Sequence, residues 1–184
     1  SRLAATAALP VQDPTRAVVE LERTVTELGF LGGYIGTDFP HKLDDPSMDQ
    51  LYEACVRLNV PLFLHPSPAG IDGPSGDPNL KDFDLDVVIG FAAQETLAVA
   101  RLIYGGVMDR HPDLDICLSH GGGSTGYLLG RLAMASRKRP WATPELRVDG
   151  AFEERMSRIW FDNHLNSDTS LKLLTGMIGD DRLV

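Results

Sequence analysis

The strongest constraint in this sequence is a rhythm in which short apolar runs alternate with amphipathic segments of more than ten residues along most of the chain. Strands joined by such segments lie parallel, because each crossover returns the chain to the same end of the sheet. The first helix is marked by Asp13 as N-cap and Pro14 at the first helical position. Its apolar stripe is Val18, Leu21, Val25 and Leu28, and Gly29 stops it. A second helix from Ser47 buries Leu51, Cys55 and Leu58, and the run Val60-Pro61-Leu62-Phe63-Leu64-His65 follows as a strand. The longest helical candidate spans residues 94–110, with Leu97, Arg101, Tyr104 and Met108 on one side, and His111-Pro112 ends it. Leu128, Leu132 and Ala135 are in phase on the next helix, a segment near 152–156 feeds another strand, and a last helix over about 167–177 closes at Gly179. Six strand candidates result, at residues 2–9, 32–36, 60–65, 116–119, 158–162 and 182–184.

A doubly wound sheet and a closed barrel both satisfy this order. Chemically active residues cluster just after strand ends, and no glycine-rich dinucleotide loop follows an early strand, so the barrel is favoured. Six candidates are fewer than the eight strands of a (β/α)8 barrel, which usually takes roughly 250 residues. Residues 1–184 are therefore expected to form part of a larger barrel domain. The stretch 66–90 breaks the rhythm with four Pro, four Gly and five Asp directly after a strand, the mark of a functional loop.

Composition narrows the function classes. Apolar residues make up 43% and charged residues 23%, which suits a globule rather than a disordered chain. A net charge of -9 argues against nucleic acid held on a broad basic face. No stretch approaches 18 uninterrupted apolar residues and no leader pattern opens the chain, so neither membrane spanning nor secretion is expected. Cys55 and Cys117 lie 62 residues apart without metal-knuckle spacing, and read as buried thiols of a cytoplasmic protein.

The candidate chemistry begins with His65, which ends an apolar strand and precedes Pro66. It suits either a divalent-metal ligand or a structural strand-end histidine. His120 repeats the placement after Ile116-Cys117-Leu118-Ser119, with three glycines behind it. A general acid/base, a metal neighbour and a capping histidine all fit that position, and the amides that follow are candidates to face an anion. Asp162 at the end of the next strand can orient a histidine, bind a cation or cap Asn163-His164, and His164 is a candidate for contact with the active site. His41 and His111 read as solvent or capping residues. Arg131, on a mostly apolar helix face, suits carboxylate recognition or an ion pair. The cluster Arg137-Lys138-Arg139 reads as a solvated helix end.

Several of these segments together resemble the amidohydrolase-related barrel family that includes aminocarboxymuconate-semialdehyde decarboxylase and other non-oxidative decarboxylases. They are Leu9-Pro10-Val11-Gln12-Asp13-Pro14, Glu27-Leu28-Gly29-Phe30, Leu62-Phe63-Leu64-His65-Pro66, Gly105-Gly106-Val107-Met108-Asp109-Arg110-His111-Pro112, Ser119-His120-Gly121-Gly122-Gly123 and Trp160-Phe161-Asp162-Asn163. The resemblance implies that the chain covers about strands 3 to 8 of a (β/α)8 barrel, without the first strands and the C-terminal ligand segment. It makes His65 the metal ligand after the fifth strand and His120 the acid/base after the sixth. Arg131 becomes a binder of substrate carboxylate reaching in from a neighbouring subunit, hence a homodimer. The cofactor implied is a divalent metal, most often Zn2+. The reaction implied is loss of carbon dioxide from a conjugated or hydroxyaromatic carboxylic acid. Metal-dependent hydrolysis of a lactone or amide is the first alternative, and a catalytically incomplete metal-binding or assembly domain the second.

Overall fold

The computed structural model describes residues 3–37, 39–67 and 78–184. Part of the long polar stretch at 66–90 falls outside them; its described portion holds a short turn at Pro78–Leu80 and a wide helical turn at Asp86–Gly90. The strands are β1 (Ala7–Ala8), β2 (Gly33–Gly36), β3 (Leu62–His65), β4 (Ile116–Leu118) and β5 (Trp160–Phe161). They pair in the order β1-β2-β3-β4-β5, and every pair is parallel. Leu183 bridges to Phe161 in the same sense, which places a sixth segment on the far edge. A doubly wound sheet reverses its strand order at a switch point, whereas this order never reverses. Right-handed crossovers then put all the helices on one face, so the sheet is an arc of a (β/α)8 barrel.

Between the strands run α1 (Pro14–Leu28), α2 (Asp49–Leu58), α3 (Phe91–Tyr104), α4 (Val107–Arg110), α5 (Thr125–Lys138), α6 (Ala151–Met156) and α7 (Asp168–Ile178). Asp13 caps α1 by accepting from the amides of Thr15 and Arg16, and Gly29 ends it with φ 69°. The single helix expected over 94–110 is two helices. Gly106 takes φ 73°, and a Cβ on Gly105 would collide with Asp44 and the Arg101 carbonyl, so chain direction changes there. From Asp86 to Tyr104 the helical stretch runs 19 residues and is apolar enough to cross a bilayer by length and composition. Its Ala98, Val99, Leu102 and Ile103 are buried in the core, as befits the central helix of a globule.

Side chains alternate across the sheet as parallel strands require. Leu62, Leu64, Ile116, Leu118 and Phe161 are buried and pack with Leu21, Leu51 and Val99 of the helices. Registered neighbours Tyr34, Phe63, Cys117 and Trp160 occupy the opposite, concave face. His65 lies on that face too, two residues beyond Phe63.

Candidate active site

The site is organised by three successive buried polar residues on α3. Gln94, Glu95 and Thr96 are 6%, 0% and 9% exposed on a helix that is otherwise largely apolar. Each reaches a different loop. Gln94 donates through Nε2 to the Ser67 carbonyl (2.7 Å), while its Oε1 accepts from the Ser67 amide and from the Thr37 hydroxyl. Thr96 Oγ1 accepts from the Ser124 amide (2.9 Å). Glu95 Oε1 lies 2.9 Å from His120 Nδ1, and its second oxygen has no hydrogen-bond partner among the described residues. Helix α3 thereby fastens the segments that follow β2, β3 and β4.

His120 takes φ 46°, and the three glycines after it are also in the left-handed region. A Cβ on Gly122 would stand 2.5 Å from Phe161, and one on Gly123 would collide with the Ala92 backbone, so the run is glycine for space as well as for conformation. A non-glycine residue held at positive φ costs about 1 kcal/mol or more, and such positions concentrate at functional sites. The His65 ring centroid lies 5.1 Å from that of His120, edge to face, and Phe91 stacks on His120 at 5.9 Å. His120 and His164 line a cavity of about 570 Å3 with Phe91, Tyr127 and Leu173, within the usual size range of small-molecule pockets. His65 is not among the described residues lining this cavity; its ring contacts those of His120 and Phe91, which do line it.

Burial pushes the Glu95 carboxyl up to about 9, and the nearby Asp162 charge adds to the effect. Burial also lowers the pKa of His120; Asp162 acts the other way, while His65 and His164 reinforce the lowering. Both members of the pair are therefore disposed toward their neutral forms.

The remaining candidates separate clearly. Asp162 Oδ1 accepts from the amides of His164 (3.1 Å) and Gly121 (3.2 Å), which is a capping arrangement. The His164 ring lies 5.6 Å from that of His120. Arg131 is exposed on α5, lines no part of the cavity, and has no ion pair among the described residues. The glycine-loop amides do not face an anion. Gly121 donates to Asp162, Gly122 to the Ser119 carbonyl, Gly123 to the His120 carbonyl and Ser124 to Thr96, so all four are already used. His111 is the C-cap of α4, its amide donating to the Val107 carbonyl (2.9 Å), but it is not a solvent residue. It is 8% exposed, and its Nε2 pairs with Asp49 at 2.9 Å. His41 Nδ1 is 3.4 Å from the Ser47 hydroxyl, consistent with a loop residue. Cys55 and Cys117 are free and buried, with burial pushing both thiols up to about 12.

The donor chemistry fits a metal in part. His65 Nδ1 lies 2.7 Å from the Pro66 carbonyl, so Nδ1 carries the hydrogen and Nε2 keeps its lone pair. Metal-binding histidines are commonly oriented in this way. Among the described residues, no three His, Cys, Asp or Glu side chains form a cluster that could hold a metal ion. The described residues thus offer the His65 Nε2 lone pair as a single candidate donor and no full coordination sphere.

A family model described as amidohydrolase matches residues 1–184. A 2-amino-3-carboxymuconate-6-semialdehyde decarboxylase of Dictyostelium discoideum is 31% identical over 176 residues, covering 95% of this chain and 47% of the relative. A 2,6-dihydroxybenzoate decarboxylase solved with 2,6-dihydroxybenzoate superposes with TM-score 0.83 and 27% identity, over 100% of this chain and 59% of that one. A 5-carboxyvanillate decarboxylase of Novosphingobium aromaticivorans, solved with manganese and 4-hydroxy-3-methoxy-5-nitrobenzoic acid, gives TM-score 0.86 and 25% identity over 100% and 53% of the two chains. The chain spans about half the length of the relatives it matches.

Proposed function

The chain belongs to the amidohydrolase family, and from that premise we propose that it carries the acid/base part of a metal-dependent non-oxidative decarboxylase acting on a conjugated or hydroxyaromatic carboxylic acid. The observation that carries this reading is the meeting of His65 and His120, from the ends of adjacent parallel strands, with ring centroids 5.1 Å apart beside one cavity. Named relatives with decarboxylase activity on such acids support the choice of reaction.

In this reading His65 Nε2 is one ligand to a divalent ion, zinc or manganese, and residues outside the described set complete the sphere. The bound ion supplies Lewis acidity toward a substrate oxygen. His120 holds the proton. For a hydroxyaryl acid, the ring carbon bearing the carboxylate takes that proton with a pair of ring π electrons, and the N–H bond pair stays on the His120 nitrogen. The carbon–carbon bond then breaks, its electrons return to the ring, and carbon dioxide leaves. Phe91, Tyr127 and Leu173 provide apolar wall for the substrate ring. Residues 1–184 form part of a (β/α)8 barrel in this reading, and the protein is a cytoplasmic homodimer. The exposure of Arg131, without an intrachain ion pair among the described residues, leaves it available to bind a carboxylate in the partner subunit's site.

The test is carbon dioxide release by the metal-loaded full-length protein from a panel of hydroxybenzoates, conjugated muconate-type acids and lactones. Release from at least one of the acids is expected. Turnover confined to lactone opening, with no carbon dioxide, would replace decarboxylation by hydrolysis. No turnover of any member, with metal bound, would favour an assembly role.

A further inference from the structure

We infer that Glu95 is a positioning residue for His120, holding the imidazole so that Nε2 carries the hydrogen and is the nitrogen offered to the cavity. The inference rests on the acid/base role proposed for His120 and adds the group that sets its tautomer.

Four observations lead to it. The Glu95 side chain is fully buried, and a carboxyl group in such a place is costly unless it does something there. It makes its hydrogen bond to His120 Nδ1 at 2.9 Å, while its other oxygen has no partner among the described residues. Among the described residues, His120 Nε2 has no hydrogen-bond partner, and His120 lines the cavity. Finally, His120 sits at φ 46° in front of three left-handed glycines, so the backbone alone is a poor means of fixing the ring.

The chemistry of the contact settles where the hydrogens go. A neutral carboxyl donates its O–H to Nδ1, and a neutral imidazole then carries its hydrogen on Nε2. If the same proton instead sits on Nδ1, the partners are a carboxylate and an imidazolium, and Nε2 again carries hydrogen. Nε2 is left bare only if a neutral imidazole donates its Nδ1–H to Glu95. Burial disfavours the ionised carboxyl that would accept it, and a neutral carboxyl accepting there would carry its O–H on Oε2, which has no partner among the described residues. Helix α3 thus presents His120 as a proton donor, which is the form that protonation of a substrate carbon requires.

Two variants and one spectrum test this in full-length protein loaded with a diamagnetic divalent ion. Glu95→Leu keeps the volume while removing the hydrogen bond; Glu95→Gln can direct an amide N–H at Nδ1 in place of the carboxyl O–H. Glu95→Leu is expected to lose on the order of 100-fold in kcat with KM unchanged, and Glu95→Gln to recover to within about tenfold of the parent. The nitrogen-15 signals of the His120 ring, assigned by their loss in His120→Asn, should show hydrogen on Nε2 in the parent and an averaged tautomer mixture in Glu95→Leu. A Nδ1–H, Nε2-bare ring in the parent would overturn the inference, as would a Leu variant with kcat within threefold of the parent. The spectrum needs no substrate, so it judges Glu95 even if the panel shows that the reaction is not decarboxylation. In that event the kcat comparison is made on the reaction found.

Discussion

At the scale of the residue, Glu95 has a second consequence, this time for stability. Its folded pKa of about 9 stands well above the ordinary carboxyl value near 4.3. Between those values the folded chain keeps a proton that the unfolded chain releases. The associated stability is fully present below the unfolded pKa and is lost as pH rises through the folded one, at up to about 1.4 kcal/mol per pH unit. Urea unfolding from pH 5 to pH 9 should therefore show the parent weakening with a slope that Glu95→Leu lacks; parallel profiles for the two proteins would show that the carboxyl is already ionised at neutral pH. The meeting of His65 and His120 was legible in the sequence because the ends of successive parallel strands gather at one edge. Glu95 was not, because a lone glutamate on a helix is ordinarily solvated. The signal present was its company: Gln94-Glu95-Thr96 are three successive polar residues on a helix that buries Ala98, Val99, Leu102 and Ile103.

At the scale of the element, most starts and stops followed from local rules. Asp13, Pro14 and Gly29 bound α1 as read from the sequence, and the strands appear where the apolar runs lie, shortened at their ends. The break between α3 and α4 was missed because the apolar phase continues across Gly105-Gly106 while the backbone does not. The anion reading of the glycine loop failed for a different reason. Amide direction is set by partners distant in sequence, and Asp162 and Thr96 had already claimed two of the four. His111 shows the same effect. Asp49, at the start of α2, accepts from Arg110 Nη2 (3.0 Å) and pairs with His111 Nε2 (2.9 Å), tying α2 to the end of α4. Burial works against the Asp49 charge, but the hydrogen bonds from Arg110 and His111 outweigh it and the pKa falls. Its contribution is therefore present above the unfolded carboxyl pKa and is lost on acidification through the folded one. Asp49→Ala leaves a buried ring nitrogen unpaired and should cost roughly 1–3 kcal/mol at neutral pH, read from the urea midpoint. A change below about 0.5 kcal/mol would mean that His111 finds another partner.

At the scale of the whole molecule, unreversed strand order decides between the two parallel architectures that the sequence left open. It also explains the position of the site. Successive parallel strands end at the same edge, so His65 on β3 and the residues after β4 and β5 gather there with no long-range signal in the sequence. In the proposed reading, what the chain's own residues supply is unequal: one histidine to bind metal, and one, tethered by a buried carboxyl, to handle a proton. These roles make different demands on the same neighbourhood and separate under substitution. The decisive measurement is metal content set beside carbon dioxide release for His65→Ala and His120→Ala in the full-length protein. His65→Ala should lose both bound metal and turnover, while His120→Ala should keep the metal and lose at least 100-fold in kcat. A His120→Ala protein that turns over at the parental rate, or a His65→Ala protein that retains full metal and activity, would contradict this division of labour.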